Sequence, residues 1–365
     1  MERPPPLRRG WTTGACATAA AAAAYTALLT GDFPDPVTIT LPRGERPAFA
    51  LAETHLAEAA ATAAVAKDAG DDPDVTHGAL IRATVRHASP GTGVAFRAGE
   101  GVGTVTRPGL PIPPGEPAIN PVPRQMIAAA IAEVAAAHGG SGDVSVEIAI
   151  PGGEALAQRT LNGRLGIVGG LSILGTTGIV VPYSCAAWID TIHRGIDVAR
   201  ASGLRHVAGA TGSTSEEAVR CRHGLPEIAL IEMGDFAGAM LKYLRRHPVQ
   251  RVTVAGGVAK MTKLAQGRLD LHSKRGSADM DALAALVPGD PALAAAVAQA
   301  NTVAEAFAHA ASAAVPLGDA IAARAWTTAA AALADAEIAL EILVFDRAGA
   351  CVGEAPFAPV TPRRP

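Results

Sequence analysis

The sequence predicts two domains, an α+β domain in the first half and an α/β domain with a parallel sheet in the second. At 365 residues the chain is longer than a single hydrophobic core typically supports. The first half mixes strands and helices without regular alternation, whereas the second alternates short apolar strands with helices. We place the domains at residues 1–185 and 186–365.

The first predicted element is an alanine-rich helix that begins at Thr12 or Thr13, either of which can act as its N-cap. The preceding pair Arg8 and Arg9 also suggests a twin-arginine export signal. Against that alternative, polar residues interrupt the apolar run and no clear cleavage site follows it. We therefore expect a helix of the folded domain, with no export signal and no membrane-spanning segment.

Strands and one further helix complete the prediction for the first half. The residues from 52 to 66 are only weakly amphipathic and receive no strand. The glycines of 99–103 are followed by β-forming residues and a proline, which excludes a dinucleotide-binding turn. Alternating apolar and polar residues predict strands over 37–41, 80–85, 94–97 and 144–150, and a helix is predicted over 125–138.

The second half predicts a doubly wound parallel sheet. Ligands of such sheets bind beyond the carboxyl ends of the strands, where Glu232 and Asp235 are candidates for contacts to ribose hydroxyls. We expect Trp188, which lies in a helical segment, to be part of the core, and the tail from Ala358 to be disordered. The predicted strands are 206–210, 227–231, 251–255 and 338–345, with helices that include 236–246 and an alanine-rich region over 280–333.

Composition excludes several classes of function. The net charge is −3 and no basic block occurs, so we expect neither a nucleic-acid partner nor a membrane partner. Four well-separated cysteines without a CxxC motif predict reduced thiols and a cytoplasmic protein. The sequence contains no GxxxxGK[ST] motif, which excludes a nucleotide-dependent enzyme of the P-loop type.

The stretch Arg164–Ser184 is rich in glycine and free of acidic residues. A glycine-rich turn just before a helix can direct backbone N–H groups at an anionic or carboxylate-bearing ligand. The alternative is a tight turn between core strands. We favour the ligand-binding interpretation and assign cofactor contacts to the residues of its central turn, Gly175, Thr176, Thr177 and Gly178.

A second candidate site is the aspartate loop, residues Asp68–Asp74, which has four aspartates within seven residues. Its carboxylates suit a cationic ligand, a ribose hydroxyl or a proton-accepting role, and we assign catalysis to Asp71, Asp72 and the neighbouring His77. A metal site formed by Asp71, Asp72, Asp74 and His77 is one alternative, although the spacing does not match an EF-hand. An acidic turn that caps the following element is the other.

Six segments in this order resemble one known family, the cobalt-precorrin-5B (C1)-methyltransferases of the CbiD type in cobalamin biosynthesis. The resemblance extends from about Leu7 to Leu283. The segments are RRGWTTGACATAAAAA, KDAGDDPDVTHG, GEGVGTVTRPGL, GEPAINPVPRQMI, LGIVGGLSILGTTGIVVP and DLHSKRGSADMD.

This resemblance implies a fold and a reaction. The fold would be an α+β domain like a permuted ribosomal-protein S5 domain 2, followed by an α/β domain with a four-stranded parallel sheet. The reaction would transfer a methyl group from S-adenosylmethionine to C1 of cobalt-precorrin-5B, a polycarboxylate tetrapyrrole, to give cobalt-precorrin-6A. No protein-bound metal is expected, and a homo-oligomer is left open.

Carboxylate groups of the ring need arginine and lysine partners, which bind them through charge-assisted hydrogen bonds. Within the family motifs we assign this role to Arg124, Arg164 and Lys274. A non-catalytic tetrapyrrole carrier is the alternative function, because it would need the same cations but no pocket for a methyl donor.

Overall fold

The computed structural model describes residues 6–273 and 276–360. The chain divides into two compact units, unit 1 (Met1–Cys185) and unit 2 (Ala186–Pro365). The four cysteines are free thiols.

Unit 1 is built around a five-stranded mixed sheet against which two long helices pack. Its helices are α1 (Thr13–Thr30), α2 (Pro121–His138) and α3 (Gly153–Ala157). Its strands are β1 (Gly10–Trp11), β2 (Val37–Thr38), β3 (Ala48–Phe49), β4 (Glu53–Ala57), β5 (Ala60–Ala66), β6 (Leu80–His87), β7 (Val94–Ala98), β8 (Thr104–Val105), β9 (Val144–Ala149), β10 (Ile167–Val168) and β11 (Ile179–Val180).

The main sheet of unit 1 has the strand order β4-β5-β6-β9-β7. All neighbours are antiparallel except β7 and β9, which are parallel. The hairpin of β4 and β5 lies where the sequence predicted no strand. β5 reads AATAAVA, and alanine has low β-propensity, so the pattern was hidden.

Helix α1 is the central element of unit 1. Thr12 caps it as predicted: its hydroxyl accepts a hydrogen bond from the amide of Ala15, and Gly31 ends it in the left-handed conformation. Alanine side chains let the helix lie close to β5, β6 and α2. By length and composition α1 could also cross a membrane, but 78% of it is buried in the folded protein, as in a core helix.

Unit 2 contains a second five-stranded sheet with helices on both faces. Its helices are α4 (Cys185–Ala201), which begins at the last residue of unit 1, α5 (Ser213–His223), α6 (Ala237–Arg246), α7 (Val258–Ala265), α8 (Met280–Ala284), α9 (Pro291–Gln299), α10 (Val303–Ser312) and α11 (Leu317–Leu333). Its strands are β12 (His206–Ala210), β13 (Leu230–Glu232), β14 (Arg251–Gly257), β15 (Ala339–Phe345) and β16 (Cys351–Pro359), with a 3₁₀ turn (Glu227–Ala229) before β13.

The strand order of unit 2 is β13-β12-β14-β15-β16. The first four strands are parallel and lie at the predicted places, except that residues 227–229 of the strand predicted over 227–231 form the 3₁₀ turn; β16 adds a fifth, antiparallel strand. The sheet is therefore larger than the predicted four parallel strands by this edge strand. Ala358 and Pro359 belong to β16, so the expected disorder of the tail is also wrong at these two residues. Prolines 356 and 359 obscured the strand, and they are tolerated because an edge strand needs fewer ladder donors.

Candidate functional site

The aspartate loop of unit 1 holds the N-terminal segment against the domain. The Asp68 carboxylate pairs with the Arg8 guanidinium, which lowers the pKa of Asp68 to about 2. Asp71 Oδ2 accepts a hydrogen bond from the Arg8 amide at 2.6 Å, and the Asp71 amide donates to the Arg8 carbonyl at 3.0 Å. The partner lies about 60 residues away in sequence, so sequence spacing could not reveal it.

The other two aspartates of the loop also have partners inside unit 1. Asp72 Oδ1 accepts a hydrogen bond from the amide of Tyr183 at 2.8 Å, which ties the loop to the end of the glycine-rich stretch. Asp74 pairs with the buried ammonium of Lys67 and accepts hydrogen bonds from the amide and hydroxyl of Thr76. Burial alone would raise the pKa of Asp74, but the Lys67 ammonium and the Thr76 bonds hold it below its ordinary value. These contacts give the aspartates a structural role within unit 1.

His77 has a defined tautomer. Its Nδ1 lies 3.1 Å from the amide nitrogen of Ala69 and accepts that hydrogen bond. A neutral imidazole whose Nδ1 is an acceptor carries its proton on Nε2. His77 can therefore donate a hydrogen bond from Nε2, but it cannot accept a proton there while this bond is made.

The structure does bring the predicted catalytic residues together. Asp71, Asp72 and His77 line an open pocket of about 490 Å³. Arg159 also lines it, and no ion pair of this arginine occurs within residues 6–273 and 276–360. Sequence inspection missed Arg159, because it lies in a short turn outside every recognisable motif. The pocket therefore combines carboxylate acceptors, the cation of Arg159 and the imidazole donor of His77.

The glycines of the turn at 175–178 are required by packing within unit 1. Gly175 has φ +127° and a Cβ there would lie 2.4 Å from the Thr12 hydroxyl, while a Cβ on Gly178 would lie 2.5 Å from Leu41. Thr177 bonds to the backbone of Ile179, and Thr176 is exposed. The Gly178 carbonyl accepts from the amide of the N-cap residue Thr12, and the carbonyl of the preceding Leu174 accepts from the amide of Gly14 in the first turn of α1. These contacts favour the tight-turn alternative over a ligand cradle.

The structure describes two of the three cations that were predicted to bind the ring carboxylates. Arg124 folds back on its own loop, where it donates to the carbonyls of Ile119 and Pro117 and to Glu116, with distances of 2.8, 3.1 and 3.2 Å. Arg164 is half-buried in the turn before β10 and has partners within the protein. Lys274 lies outside the described residues. Most of the Arg124 donors are therefore committed to fixing the proline-rich loop.

In unit 2 the polar residues lie at the carboxyl ends of the parallel strands, as predicted. The order β13-β12-β14 places the topological switch between the loops that follow β12 and β14. Lys260 joins these loops, because its Nζ donates to the Thr211 carbonyl at 2.8 Å and lies 3.2 Å from Asp235 Oδ1. That distance is an ion-pair distance, but the buried Asp235 Oδ1 has no hydrogen-bond partner among residues 6–273 and 276–360. It is a buried acceptor with unused capacity.

Trp188 lies at the same edge and is not a core residue. Its side chain is 44% exposed, its Nε1 donates to the Glu232 carbonyl at 3.0 Å, and its ring lies 3.4 Å from the position of a Cβ on Gly234. The prediction that Trp188 is buried is wrong, since helical spacing does not say which face of α4 meets solvent. An exposed indole beside a glycine turn offers a flat apolar face to a ligand.

Metal binding finds no support in the parts of the chain that the structure describes. No group of three His, Cys, Asp or Glu side chains there could hold a metal ion. The alternative of a metal site in the aspartate loop is thus not supported by its geometry, because its carboxylates are turned toward Arg8, Tyr183 and Lys67.

Comparisons with known proteins point to one family, and the relatives found cover nearly the whole chain. A family model described as CbiD matches residues 1–182, and one described as the CbiD C-terminal domain matches residues 270–356. A protein of Agrobacterium fabrum named cobalt-precorrin-5B C(1)-methyltransferase is 64% identical over 356 residues, which are 97% of this chain and 94% of that protein. A protein of the same name from a Bradyrhizobium species is 65% identical over 351 residues, which are 95% of this chain and 93% of that protein.

One solved structure also matches. It is a crystal structure of the cobalamin biosynthesis protein CbiD from Archaeoglobus fulgidus, with 27% identity, coverage of 74% of this chain and 83% of that chain, and a TM-score of 0.40. That TM-score is too low to support a shared arrangement of the two units. The identity and coverage of the curated relatives decide the question, and the chain belongs to the CbiD family.

Proposed function

We propose that this protein is an S-adenosylmethionine-dependent methyltransferase that methylates C1 of cobalt-precorrin-5B and forms cobalt-precorrin-6A. The observation that carries the proposal is the identity of 57–65% over almost the entire chain to curated relatives of that name. The transfer of a methyl cation from a sulfonium to a ring carbon is an in-line displacement, so the protein must mainly hold donor and acceptor in near-attack geometry. The charge balance requires that one proton leaves the ring.

The carboxyl edge of the sheet in unit 2 is the proposed site of the methyl donor. Asp235 supports this assignment, because its buried Oδ1 lacks a hydrogen bond and can accept one from a ribose hydroxyl or an ammonium group. The exposed ring of Trp188 beside Glu232 and Gly234 can stack on an adenine base or face a sulfonium. The donor assignment to Gly175–Gly178 is weaker, since Thr12 and Leu41 fill the space beside these glycines.

The pocket of the aspartate loop is the proposed place of proton transfer. Asp71 and Asp72 each spend one carboxylate oxygen on a backbone amide, which leaves the other oxygen as an acceptor. His77 acts there as a hydrogen-bond donor through Nε2, since Nδ1 accepts from Ala69. Arg159 supplies a cation at the same opening, where it can bind an anionic group of a ligand.

A single labelling experiment tests the reaction. The purified protein is given methyl-labelled S-adenosylmethionine and cobalt-precorrin-5B under anaerobic conditions. The label is expected at C1 of the ring, with S-adenosylhomocysteine formed one for one. Tight binding of the ring without formation of S-adenosylhomocysteine would refute the enzyme and leave the carrier.

The role of the aspartate loop is tested by Asp72→Asn, with Asp68→Asn as the matched control. Asparagine keeps the oxygen that accepts from the Tyr183 amide, so folding should be nearly unchanged while a proton acceptor is removed. We expect turnover to fall sharply in Asp72→Asn and Asp71→Asn. Turnover at the wild-type rate in both variants would assign the loop to structure alone.

For unit 1 we further propose the topology of a permuted ribosomal-protein S5 domain 2, and for unit 2 a family core of four parallel strands. The supporting observations are the mixed sheet covered by α1 and α2, and the four parallel strands that precede β16. A superposition of each unit alone on reference domains tests both assignments.

A further inference from the structure

The surface of unit 2 contains a groove of about 940 Å³. Its floor is the outer face of α6, with Ala239, Lys242, Tyr243 and Arg246 at helical spacing, and Arg245 beside them. One wall is α4, through Ile189 and His193. The other is α11, which contributes two threonines and two alanines. We call this feature the basic groove.

Charge distinguishes the basic groove from the rest of the surface. Lys242, Arg245 and Arg246 line it, and none of its lining residues is acidic, although the protein has a net charge of −3. All three cations are exposed, and within residues 6–273 and 276–360 none of them pairs with a carboxylate. The acidic residues of neighbouring α4, Asp190 and Asp197, pair with Arg194 instead.

The interior of the groove is partly aromatic. The rings of His193 and Tyr243 stack with centroids 4.0 Å apart and planes 12° apart. The Tyr243 hydroxyl donates to the Asp197 carboxylate at 2.8 Å, which fixes the ring. Small side chains of α11 opposite this stack leave a broad, largely apolar interior below the cationic rim.

The groove lies next to the strand edge that we assign to the methyl donor. Leu269 lines the groove, and its carbonyl accepts from the Gly238 amide at 2.8 Å, three residues beyond Asp235. On the other side, groove residue Ile189 follows Trp188, whose indole bonds to Glu232. Leu269 and the α4 wall therefore both connect the groove to the loop 232–235.

We infer that the basic groove binds the polycarboxylate tetrapyrrole, with the macrocycle on the apolar interior and carboxylates on Lys242, Arg245 and Arg246. This assignment rests on the proposed function for the identity of the ring. A flat macrocycle with charged side chains at its edge needs an apolar surface surrounded by cations, and a volume near the upper end of the usual range of about 300–1,000 Å³ for ligand pockets. The groove has each of these properties.

The test uses uroporphyrin, a stable tetrapyrrole whose side chains are all carboxylates, and therefore does not depend on turnover. Binding is measured by the absorbance of the porphyrin at low and at moderate salt. The variant Lys242→Gln/Arg245→Gln/Arg246→Gln is compared with Arg43→Gln/Arg46→Gln/Arg205→Gln, which removes the same charge at exposed arginines outside the groove.

We expect the groove variant to bind uroporphyrin about tenfold to a hundredfold more weakly, since each exposed ion pair contributes up to about fivefold. The control variant should bind like wild type, and S-adenosylmethionine should bind equally to all three proteins. Equal porphyrin affinity in the two variants, or no binding by wild type at low salt, overturns the assignment. Failure of the labelling experiment with intact porphyrin binding would instead refute the methyltransferase and leave the groove assignment standing.

Discussion

The aspartate loop of unit 1 and the basic groove of unit 2 are both dense in charge, but they use that charge differently. Each aspartate of the loop has a partner in its own unit: Arg8, the Tyr183 amide or Lys67. The three cations of the groove have no carboxylate partner in the described part of the chain. Charge that the fold already uses stabilises the fold, whereas charge that the fold leaves exposed around a cavity is available to a ligand.

The largest effect expected from this comparison is on the turn that packs against α1. Gly175→Val should destabilise the protein by about 4 kcal/mol, because valine combines a strained positive φ with an overlap against Thr12. Thermal unfolding measures the change. Gly163→Ala is the control, since nothing lies within 4 Å of a Cβ at that position. A Gly175→Val protein with normal stability and lost donor binding would restore the ligand-cradle hypothesis.

The next prediction concerns the buried ion pair of the aspartate loop. Lys67→Met leaves the Asp74 carboxylate without its cation, and should cost about 3 kcal/mol of unfolding free energy, near the low end for buried pairs because Asp74 is 23% exposed. Denaturant unfolding measures the loss. The double variant Lys67→Met/Asp74→Asn should recover part of it. A loss of less than about 1 kcal/mol, as for surface pairs, would show that the loop does not need this charge.

Sequence periodicity predicted the helices and strands whose formation depends on residues close together in the sequence. The Thr12 cap, the helix predicted over 125–138 and the parallel strands of unit 2 follow from local pattern and appear in the structure, although α2 begins four residues earlier, at Pro121. The β4–β5 hairpin was missed because alanine hides alternation. The edge strand β16 was missed because prolines interrupt it.

The site residues show a second limit of sequence inspection. Four aspartates in seven residues attract notice, but their partner Arg8 lies far away in the sequence. The basic groove has no motif at all, because its lining comes from four separate segments, 189–193, 239–246, 267–269 and 327–332. The contacts of the aspartate loop and the basic groove are both formed by residues that are close in space but distant in the sequence.

A pH experiment extends the comparison to a cluster of polar side chains in unit 2 that stabilises the fold. His206 donates to Thr253 at 2.8 Å, Thr253 donates to the buried Glu341 at 2.7 Å, and burial lowers the pKa of His206 from 6.5 to about 4. The unfolded chain therefore binds a proton at a higher pH than the folded one does. The contribution of His206 to stability should be fully present above about pH 6.5 and should be lost as the pH falls toward about 4. His206→Gln should flatten this pH dependence of unfolding free energy, and an unchanged slope would exclude His206 as its source.

The smallest expected effect is on the stability of the basic groove, and it decides whether the cations belong to the fold. Arg245 and Arg246 lie in the last turn of α6, where the helix dipole stabilises cations by about 0.3–1 kcal/mol, so these two residues alone could be explained without a ligand. Lys242 lies one turn earlier and gains little from the dipole. We therefore expect Lys242→Gln to leave the unfolding free energy unchanged within about 0.5 kcal/mol, as is usual for exposed sites, while it weakens porphyrin binding. Arg245→Gln/Arg246→Gln should lower both quantities slightly. If Lys242→Gln destabilises the protein and leaves porphyrin binding intact, the groove resembles the aspartate loop and its charge belongs to the fold.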